Sequence, residues 1–533
     1  MNKNLFLLSL LIILGLNSFA QEKKVRGRVT DGEDGAPLVG ASVSSGSTQS
    51  ITDEDGKFSI SVSEGKHIRV SFTGYTSVEL NPGESPFLSI ELHRGATELR
   101  EVIVTGALGI KRSSREVGSG TQLIDNGQLN QGKVINPILG LSSKVAGLRI
   151  NMYDSKVDPQ VRIVLRGNRS LQRTAGIDGR GANEPIYIVD GVPVPDISRI
   201  NPNDIEDITV LKGANAAALY GSEGVNGALM IATKNGKRGK NVVRVSNTTT
   251  FSNVYLLPPA QTKFGQGTDG IYDPTQNESW GPAFDGTMKD FGLPLPDGTQ
   301  PQLLYAAPSK DNRLDLFETG VNVQNDISFS GGDERSTYFL SAQRVSVKGI
   351  IPEDKNERTG FRFNGTRSFG KLNTSYNINY VYNKRSTTPD GPWIGAYRYP
   401  ANFDFDMVKD WSDPLSPGNP INYFTSQGSW LRNPYFLIDN MRDNSQQQTL
   451  NGKLELDYRV NSWFKAAYRI GLYSVAEETE SSTRKFSAPG TRNVPGIVTN
   501  GSNNYRRLNG DLLLHFNKDF GKVSTKLLLG HNI

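Results

Sequence analysis

Four histidines are the residues of this chain best suited to zinc binding or general-base catalysis: His67, His93, His515 and His531. None of them is spaced from a carboxylate or from another histidine as the ligands of a zinc site are. The chain has no cysteine, which excludes disulfides and a lipid-anchored cysteine at a mature N-terminus. We therefore expect neither a metal centre nor a cofactor.

Carboxylates are plentiful, but nothing in the sequence places them for catalysis. A glycan hydrolase needs two carboxyl groups flanking one bond, and Asp404 and Asp406 are examples whose positions the sequence leaves open. Aspartates beside glycines, such as Asp55-Gly56, could bind calcium, although turn formation explains them more simply. We expect a protein that is not an enzyme.

Aromatic side chains in one long polar stretch are the best candidates for ligand binding. Their rings could stack on sugars. The aromatic residues of this stretch include Trp411, and the candidates for substrate contact are Trp393, Tyr397, Tyr399 and Trp430. An aromatic core within the loop would account for the same residues equally well.

Length and charge narrow the class of protein. The chain has 533 residues, which predicts several domains, and a net charge of only +5. Its lysines and arginines are dispersed, so no surface for nucleic acid is indicated.

The N-terminus has the pattern of a secretory signal peptide over residues 1–20. Lys3 is followed by the apolar run Leu5 to Leu16 and by Ser18-Phe19-Ala20, a small-x-small cleavage pattern. The run is shorter than the roughly 20 residues of a spanning helix. No later segment is long and apolar enough either, so a membrane location requires a β-barrel.

Short β segments separated by Asp-Gly and Pro-Gly turns predict a small β-sandwich over residues 21–96. Residues 97–112 follow as a separate segment. Within it, Glu101, Val102, Ile103, Val104 and Thr105 form a β-branched run that a partner's sheet edge could capture as an added strand. An ordinary strand or linker is the alternative. The glycines and polar residues up to Thr121 predict a flexible tether.

Residues 113–238 predict a compact mixed α/β module. Gln131 to Gly147 has helix-compatible apolar spacing interrupted by Pro137, and Val161 to Leu165 alternates as a strand. Further elements are a strand within Pro185 to Pro193, a helical turn at Asp204, a strand at Thr209 to Leu211, a small-residue helix ended by Gly221, and a strand from Ala228 to Ile231.

Residues 239–533 predict the strands of a transmembrane β-barrel. Aliphatic and tyrosine side chains alternate with polar ones, as in Tyr376 to Tyr382, and tight connections alternate with long ones. The long connections are expected at Leu256 to Val321, Arg385 to Gln446 and Glu477 to Asn504. We count about nine strands, whereas a barrel around a plug needs about 22. We therefore expect the N-terminal part of a longer protein.

Ordered motifs in the α/β module resemble the plug of SusC/RagA-like TonB-dependent outer-membrane transporters. The positions that carry the resemblance are Arg166, Gly167, Asp190, Gly191, Lys212, Gly213, Tyr220, Gly221, Asn226 and Gly227. The sandwich resembles the carboxypeptidase-regulatory-like domain of the same proteins, and Glu101 to Thr105 resembles their TonB box.

The resemblance implies a gated importer in the outer membrane, with a periplasmic N-terminal domain. Its expected partners are TonB with ExbB and ExbD, a SusD-like surface lipoprotein that closes as a lid, and outer-membrane lipid. The expected substrate is a glycan oligosaccharide or a peptide. Arg162, Arg166 and Arg169 could bind an anion, but the resemblance favours ion pairs with acidic groups of the barrel wall.

Other functions remain open. A siderophore or cobalamin receptor would be a variant within the same class. A surface adhesin or receptor without transport would not need residues 101–105. A cell-surface carboxypeptidase or glycan hydrolase would need a catalytic group that the sequence does not display.

Overall fold

The computed structural model describes residues 22–32, 35–46, 48–63, 67–73, 75, 77–82, 87–92, 103–105, 111–113, 121–171, 181–239, 241–308, 311–389, 397–424, 432–486, 495–521 and 523–533. Two compact units divide the chain, Met1–Ile103 and Val104–Ile533. The predicted signal peptide lies outside the described residues.

The first unit is a small β-domain of two sheets. Its strands are β1 Glu22–Asp31, β2 Ser42–Ser45, β3 Thr48–Ile51, β4 Lys57–Ser63, β5 Ile68–Ser71, β6 Val78–Leu80 and β7 Phe87–Leu92. One sheet has the order β4-β1-β7 and the other β3-β2-β5-β6. Val29, Phe58, Ile60 and Val70 are among the buried residues between them. The predicted sandwich is confirmed.

A short two-stranded sheet follows the β-domain. It consists of β8, Ile103–Thr105, and β9, Lys111–Ser113. The carboxyl half of the proposed TonB box is therefore in strand conformation, while Glu101 and Val102 lie outside the described residues.

Residues 121–171 and 181–239 form a mixed α/β module, the predicted plug. Its elements are β10 Gln122–Asp125, α1 Asn126–Leu129, α2 Pro137–Gly140, β11 Leu148–Met152, β12 Val161–Leu165, β13 Ile186–Val189, β14 Val192–Val194, β15 Ile205–Leu211, α3 Ala214–Tyr220 and β16 Ala228–Thr233, with 3-10 helices at Pro202–Asp204 and Gly221–Gly224. The five-stranded sheet has the order β10-β15-β16-β13-β14, and β11 pairs with β12.

One predicted helix is much shorter than expected. In the segment 131–147 only α2 is helical, capped by the Asn136 side chain and opened by Pro137. Proline cannot continue a helix from the preceding turn, so the apolar residues before it pack from turns instead. The small-residue helix α3 and its end at Gly221 match the prediction.

A nine-stranded antiparallel sheet, numbered β17 and β20 to β27, occupies the described remainder of the chain. Its strands follow one another in sequence order: β17 Val242–Ser252, β20 Gly320–Gly332, β21 Ser336–Lys348, β22 Lys355–Phe369, β23 Leu372–Thr387, β24 Met441–Arg459, β25 Phe464–Thr483, β26 Ile497–Phe520 and β27 Val523–Asn532. The predicted count of nine is confirmed. Among the described residues, no helix has the length and apolar character needed to cross a membrane.

The two faces of this sheet differ as predicted. On β23, Asn377 and Asn379 are buried while Ile378 and Tyr380 are exposed, and on β25 Arg469 is buried between exposed neighbours. Exposed aliphatic and aromatic side chains thus form the outer face, and polar side chains point towards the plug. This alternation is the one expected of a strand between lipid and a polar interior.

Long connections lie on one side of the sheet and short ones on the other. The connections on one side are all short: 333–335, 370–371, 460–463 and 521–522. Those on the other side are 253–319, 349–354, 388–440 and 484–496, of which 349–354 is the shortest. The last two long connections are shorter than predicted, because β23 to β26 extend beyond the bounds that alternation alone indicated. Further elements in the long connections are β18 Met288–Asp290, β19 Gln302–Leu304, α4 Pro434–Asn440 and 3-10 helices at Asn312–Leu316 and Asp406–Val408.

Candidate functional site

The turn between β13 and β14 places a plug carboxylate against the sheet wall. Asp190 has a positive φ of 50°. Its oxygens accept hydrogen bonds from the backbone N–H of Thr233 at 2.9 Å, the Thr233 hydroxyl at 2.7 Å and the Asn377 amide at 3.2 Å. The turn conformation therefore orients the carboxylate towards both its own sheet and strand β23.

Glycine is required next to it. Gly191 has φ +90°, and a Cβ there would lie 2.4 Å from Nη1 of Arg469. Arg469 donates from Nε to Glu455 at 2.7 Å and pairs with Asp511 at 3.7 Å. A side chain at position 191 would both strain the backbone and push against a buried guanidinium.

Arg362 of β22 lies between two plug carboxylates. It is 3% exposed, and its nitrogens are 3.4 Å from Asp204 and 3.8 Å from Asp190. The hydroxyl of Ser341 donates to Asp204 at 2.7 Å. Burial raises the pKa of the Asp204 carboxyl, against the opposing effects of Arg362 and Ser341. This carboxylate depends on its partners to stay charged.

A second network joins the 3-10 helix before β15 to the same wall. The Asn201 amide donates to Asp326 at 2.8 Å, and the Gln343 amide donates to Asn201 and Asp326 at 2.8 and 2.9 Å. Arg358 donates to the Gln343 carbonyl at 3.0 Å and to the backbone carbonyl of Ile135 at 3.1 Å. The plug is thus held by residues from three neighbouring strands.

The ion pairs between plug and strands have one polarity. Four join the two parts in the described residues: Arg362 with Asp190 and with Asp204, Arg385 with Asp158, and Arg507 with Glu223. In each, the plug supplies the acid and the strand supplies the arginine. The expectation that Arg162, Arg166 and Arg169 pair with barrel acids is wrong for the described residues. Arg162 donates instead to Asn168 within the plug, at 3.0 Å.

The plug motif residues cluster at the ends of the plug strands. Arg166 and Gly167 follow β12 with φ of 62° and 98°. Lys212 and Gly213 link β15 to α3, and Tyr220 and Gly221 end that helix.

Asn226 and Gly227 close the same region. The Asn226 amide donates to the Ala182 carbonyl at 2.9 Å. A Cβ on Gly227 would lie 2.5 Å from Leu165. These positions serve turns and close packing within the plug.

A cavity of about 790 Å³ opens between the plug and strand β23. Charged residues line it in equal numbers of each sign: Asp158, Glu184, Asp196, Arg162, Arg199 and Arg385. Arg199 pairs with Asp196 at 3.0 Å and Asp158 at 3.2 Å. Although burial opposes it, these carboxylates raise the pKa of Arg199.

A second cavity, of about 1130 Å³, lies among the long connections. Tyr397, which is 43% exposed, and Trp280, which is 70% exposed, line it together with Phe264. Sequence reasoning missed Trp280 because it lies in a different connection from the other candidates.

Of the remaining aromatic candidates, Trp411 lies edge-on to Phe436 and donates from its indole nitrogen to Asp439 at 2.6 Å, one is a core residue, and two lie outside the described residues. Tyr399 is 8% exposed; its hydroxyl donates to the Arg432 carbonyl at 2.9 Å and accepts from Tyr423 at 2.7 Å. Burial raises the pKa of Tyr399 and of Tyr423. Tyr399 also lines the cavity, but its packing identifies it first as a core residue. Trp393 and Trp430 are not described.

No group of residues suited to hold a metal ion occurs in the described part of the chain. In the turn that contains Asp55-Gly56, the Asp53 carboxylate accepts hydrogen bonds from the backbone N–H groups of Asp55 and Lys57 at 3.1 and 2.8 Å. Turn formation therefore accounts for Asp53.

Comparison with known proteins agrees with this architecture. The family model described as TonB-dependent Receptor Plug Domain matches residues 113–228, and that described as CarboxypepD_reg-like domain matches residues 25–104. The TonB-dependent receptor SusC of Bacteroides thetaiotaomicron is 26% identical, over 96% of this chain and 49% of SusC. The chain belongs to the SusC/RagA-like TonB-dependent receptors.

Other SusC/RagA-like relatives extend the comparison. TonB-dependent receptor P3 of Formosa agariphila is 23% identical over 98% of this chain and 49% of its own length. The RagAB peptide importer in its open-open state superposes with a TM-score of 0.60 at 18% identity, covering 81% of this chain and 48% of that chain. At that identity the likeness concerns the fold.

This SusC/RagA-like chain spans about half the length of the curated relatives named here. The predicted family, fold class and outer-membrane localisation are confirmed. Both relatives are TonB-dependent receptors by name.

Proposed function

We propose that the full-length protein imports a glycan oligosaccharide or a peptide across the outer membrane, using energy that TonB, with ExbB and ExbD, delivers. The observation that carries the proposal is the fastening of the plug to the polar face of the strands, through Asp190, Asp204 and Arg362. Hydrogen bonds and ion pairs can be exchanged for water, so such a closure can be released and restored.

The coupling element in this proposal is Glu101 to Thr105. Its described part, β8, already has the extended backbone that pairing with a partner's sheet edge requires. In strand addition the backbone N–H and C=O groups provide the affinity. TonB capture of this segment would pull on residues 106–120 and loosen the plug that follows.

The long connections are the proposed contact for a SusD-like lipoprotein lid. Their aromatic core includes Phe291, Tyr399, Phe403 and Phe424, so they form a packed surface rather than separate loops. Exposed Trp280 and Tyr397 at the cavity in this region support contact with sugar rings or apolar peptide side chains.

Uptake measured in whole cells tests the proposal. Cells would carry the full-length gene as wild type, Val104→Pro or Val104→Ala, at equal outer-membrane abundance, and would be supplied with labelled oligosaccharides and peptides. Proline removes a backbone N–H from the proposed ladder, whereas alanine keeps it. We expect proline to abolish uptake while surface binding persists, and alanine to retain uptake. Unchanged uptake in Val104→Pro would contradict energised import through this segment.

A further inference from the structure

Arg385 is the single described residue of the nine-stranded sheet that lines the cavity of about 790 Å³. It lies near the end of β23 that leads into the connection 388–440. The other lining residues belong to the plug, among them Asp158, Arg162 and Arg199. The volume is within the usual range of small-molecule sites, and a ligand held there would touch plug and strand together.

Arg385 has fewer partners than the other guanidinium groups of this cavity. Its partner in the described residues is Asp158, at 3.7 Å, a distance too long for a hydrogen bond. Its Nε is buried without a hydrogen bond, and the side chain is 31% exposed. Arg162 and Arg199, by contrast, donate hydrogen bonds to oxygen atoms at 3.0 to 3.2 Å. Arg385 is therefore a charged donor group with unused capacity at the cavity wall.

Asp158 is shared between two arginines, and Arg199 holds it at the shorter distance, 3.2 Å. A carboxylate that entered the cavity could bind Arg385 through two parallel N–H···O bonds, a geometry that Asp158 does not reach. It would replace the long ion pair without disturbing the Arg199 contacts with Asp158 and Asp196.

We propose that Arg385 is the specificity-determining residue of a substrate site in this cavity, and that it binds a carboxylate of the imported substrate. The inference rests on the proposed import function and adds a substrate class to it. The carboxylate could come from the C-terminus of a peptide or from a uronic acid of a glycan. Asp158 competes with it for Arg385.

Binding to the purified full-length protein tests the inference without TonB. Isothermal titration would compare tetraalanine with its C-terminal amide, and tetragalacturonate with galactotetraose. Charge-assisted hydrogen bonds predict at least about tenfold tighter binding of the acid in one of the two pairs. The pair that shows the preference identifies the source of the carboxylate.

Variants then assign the preference to one residue. Arg385→Gln should bring the acid-to-neutral affinity ratio close to one, Arg385→Lys should leave an intermediate ratio, and Asp158→Asn should raise affinity for the acid. Arg344→Gln is the matched control, because Arg344 on β21, which β22 separates from β23, points outward, is half exposed, and pairs with Glu357. Outer-membrane abundance of each variant checks folding.

Two outcomes would overturn the inference: no acid preferred over its neutral partner, or an unchanged ratio in folded Arg385→Gln. TonB-dependent uptake measured separately distinguishes the two proposals. Uptake without any carboxylate preference would leave import standing and remove the role of Arg385.

Discussion

Replacing Arg362 with methionine should open the plug by a predictable amount. The guanidinium is buried between Asp204 and Asp190, at 3.4 and 3.8 Å. Methionine keeps most of the volume of the side chain but leaves the Ser341 hydroxyl as the described side-chain hydrogen-bond donor to the buried Asp204 carboxylate. Removal of one partner of a buried ion pair costs about 3–5 kcal/mol. Because every 1.4 kcal/mol is tenfold, the open population should rise from about 10²-fold to about 4 × 10³-fold.

A buried cysteine reports this opening. The 533 residues contain no cysteine, and Val192, at 1% exposed in the plug strand β14, lies against Gly471 of β25. The labelling rate of Val192→Cys in the full-length outer-membrane protein, measured against protein without that cysteine, follows the open population when reclosing is faster than labelling.

A double variant separates the ion pair from simple loss of packing. Arg362→Met with Asp204→Asn removes both charges, and the asparagine can still accept the Ser341 hydrogen bond, so labelling should return most of the way to the parent rate. Arg344→Met, on the outer face, serves as the control. An unchanged rate in Arg362→Met would refute the reasoning, and a double variant that labels as fast as the single one would show that Asp204 is not the cause.

Four further predictions use the same chain. Gly191→Val should speed labelling of the plug cysteine at least about tenfold, because strain at positive φ costs about 1–3 kcal/mol and the new Cβ would lie 2.4 Å from Arg469; a parent-like rate would count against the close approach. Tyr399→Phe should destabilise the long connections by about 1–2 kcal/mol through two lost hydrogen bonds, seen as faster proteolysis within 388–440, and equal proteolysis would contradict it. Phe58→Ala should destabilise the N-terminal β-domain by about 3–5 kcal/mol in thermal unfolding and leave plug labelling unchanged, whereas altered labelling would argue against two separate units. Burial raises the pKa of Asp204 above its ordinary 3.8, so its stabilising contribution is full below about pH 4 and falls as pH rises through the raised value; the labelling rate of the parent relative to Asp204→Asn should therefore increase with pH, and a constant ratio would exclude this titration.

The strands and their faces could be predicted because side-chain alternation is a local property. Ile378 and Asn377 differ in burial as their positions in the alternation require, and each short turn bounds two strands. The ends of the strands are predicted less accurately, because polar residues of β25 and β26 continue the hydrogen-bonded strand pairing beyond the alternating apolar residues. The prediction of a helix over residues 131–147 was wrong. The apolar residues of this segment have helical spacing, but Pro137 leaves only one short turn helical.

The candidate site could not be predicted in the same way. Arg362 and Asp204 are distant in sequence, and only the register of β22 against the plug brings them together. Arg362, Arg385 and Arg469 do carry a signal, since each is charged at an inward position of a strand. The sequence contains no information on which plug group each one meets, and it favours the plug arginines as partners of the wall, whereas the plug acids have that role in the structure.

The single polarity of the plug–strand ion pairs has a consequence for gating. The apolar core of the plug, which includes Leu129, Ile163 and Ile208, extends to Tyr473 and Val475 of β25, while the described ion pairs between the plug and the strands all place the negative charge on the plug. Separation therefore exposes charged groups that water solvates, together with the apolar contact at Tyr473 and Val475. In all these pairs the arginine belongs to the wall. A plug displaced along the wall can therefore pair its acids with further arginines, such as Arg358 and Arg469. Ion pairs of one sign beside this apolar contact favour a closed resting state and still let the plug find new partners when it is moved along the wall.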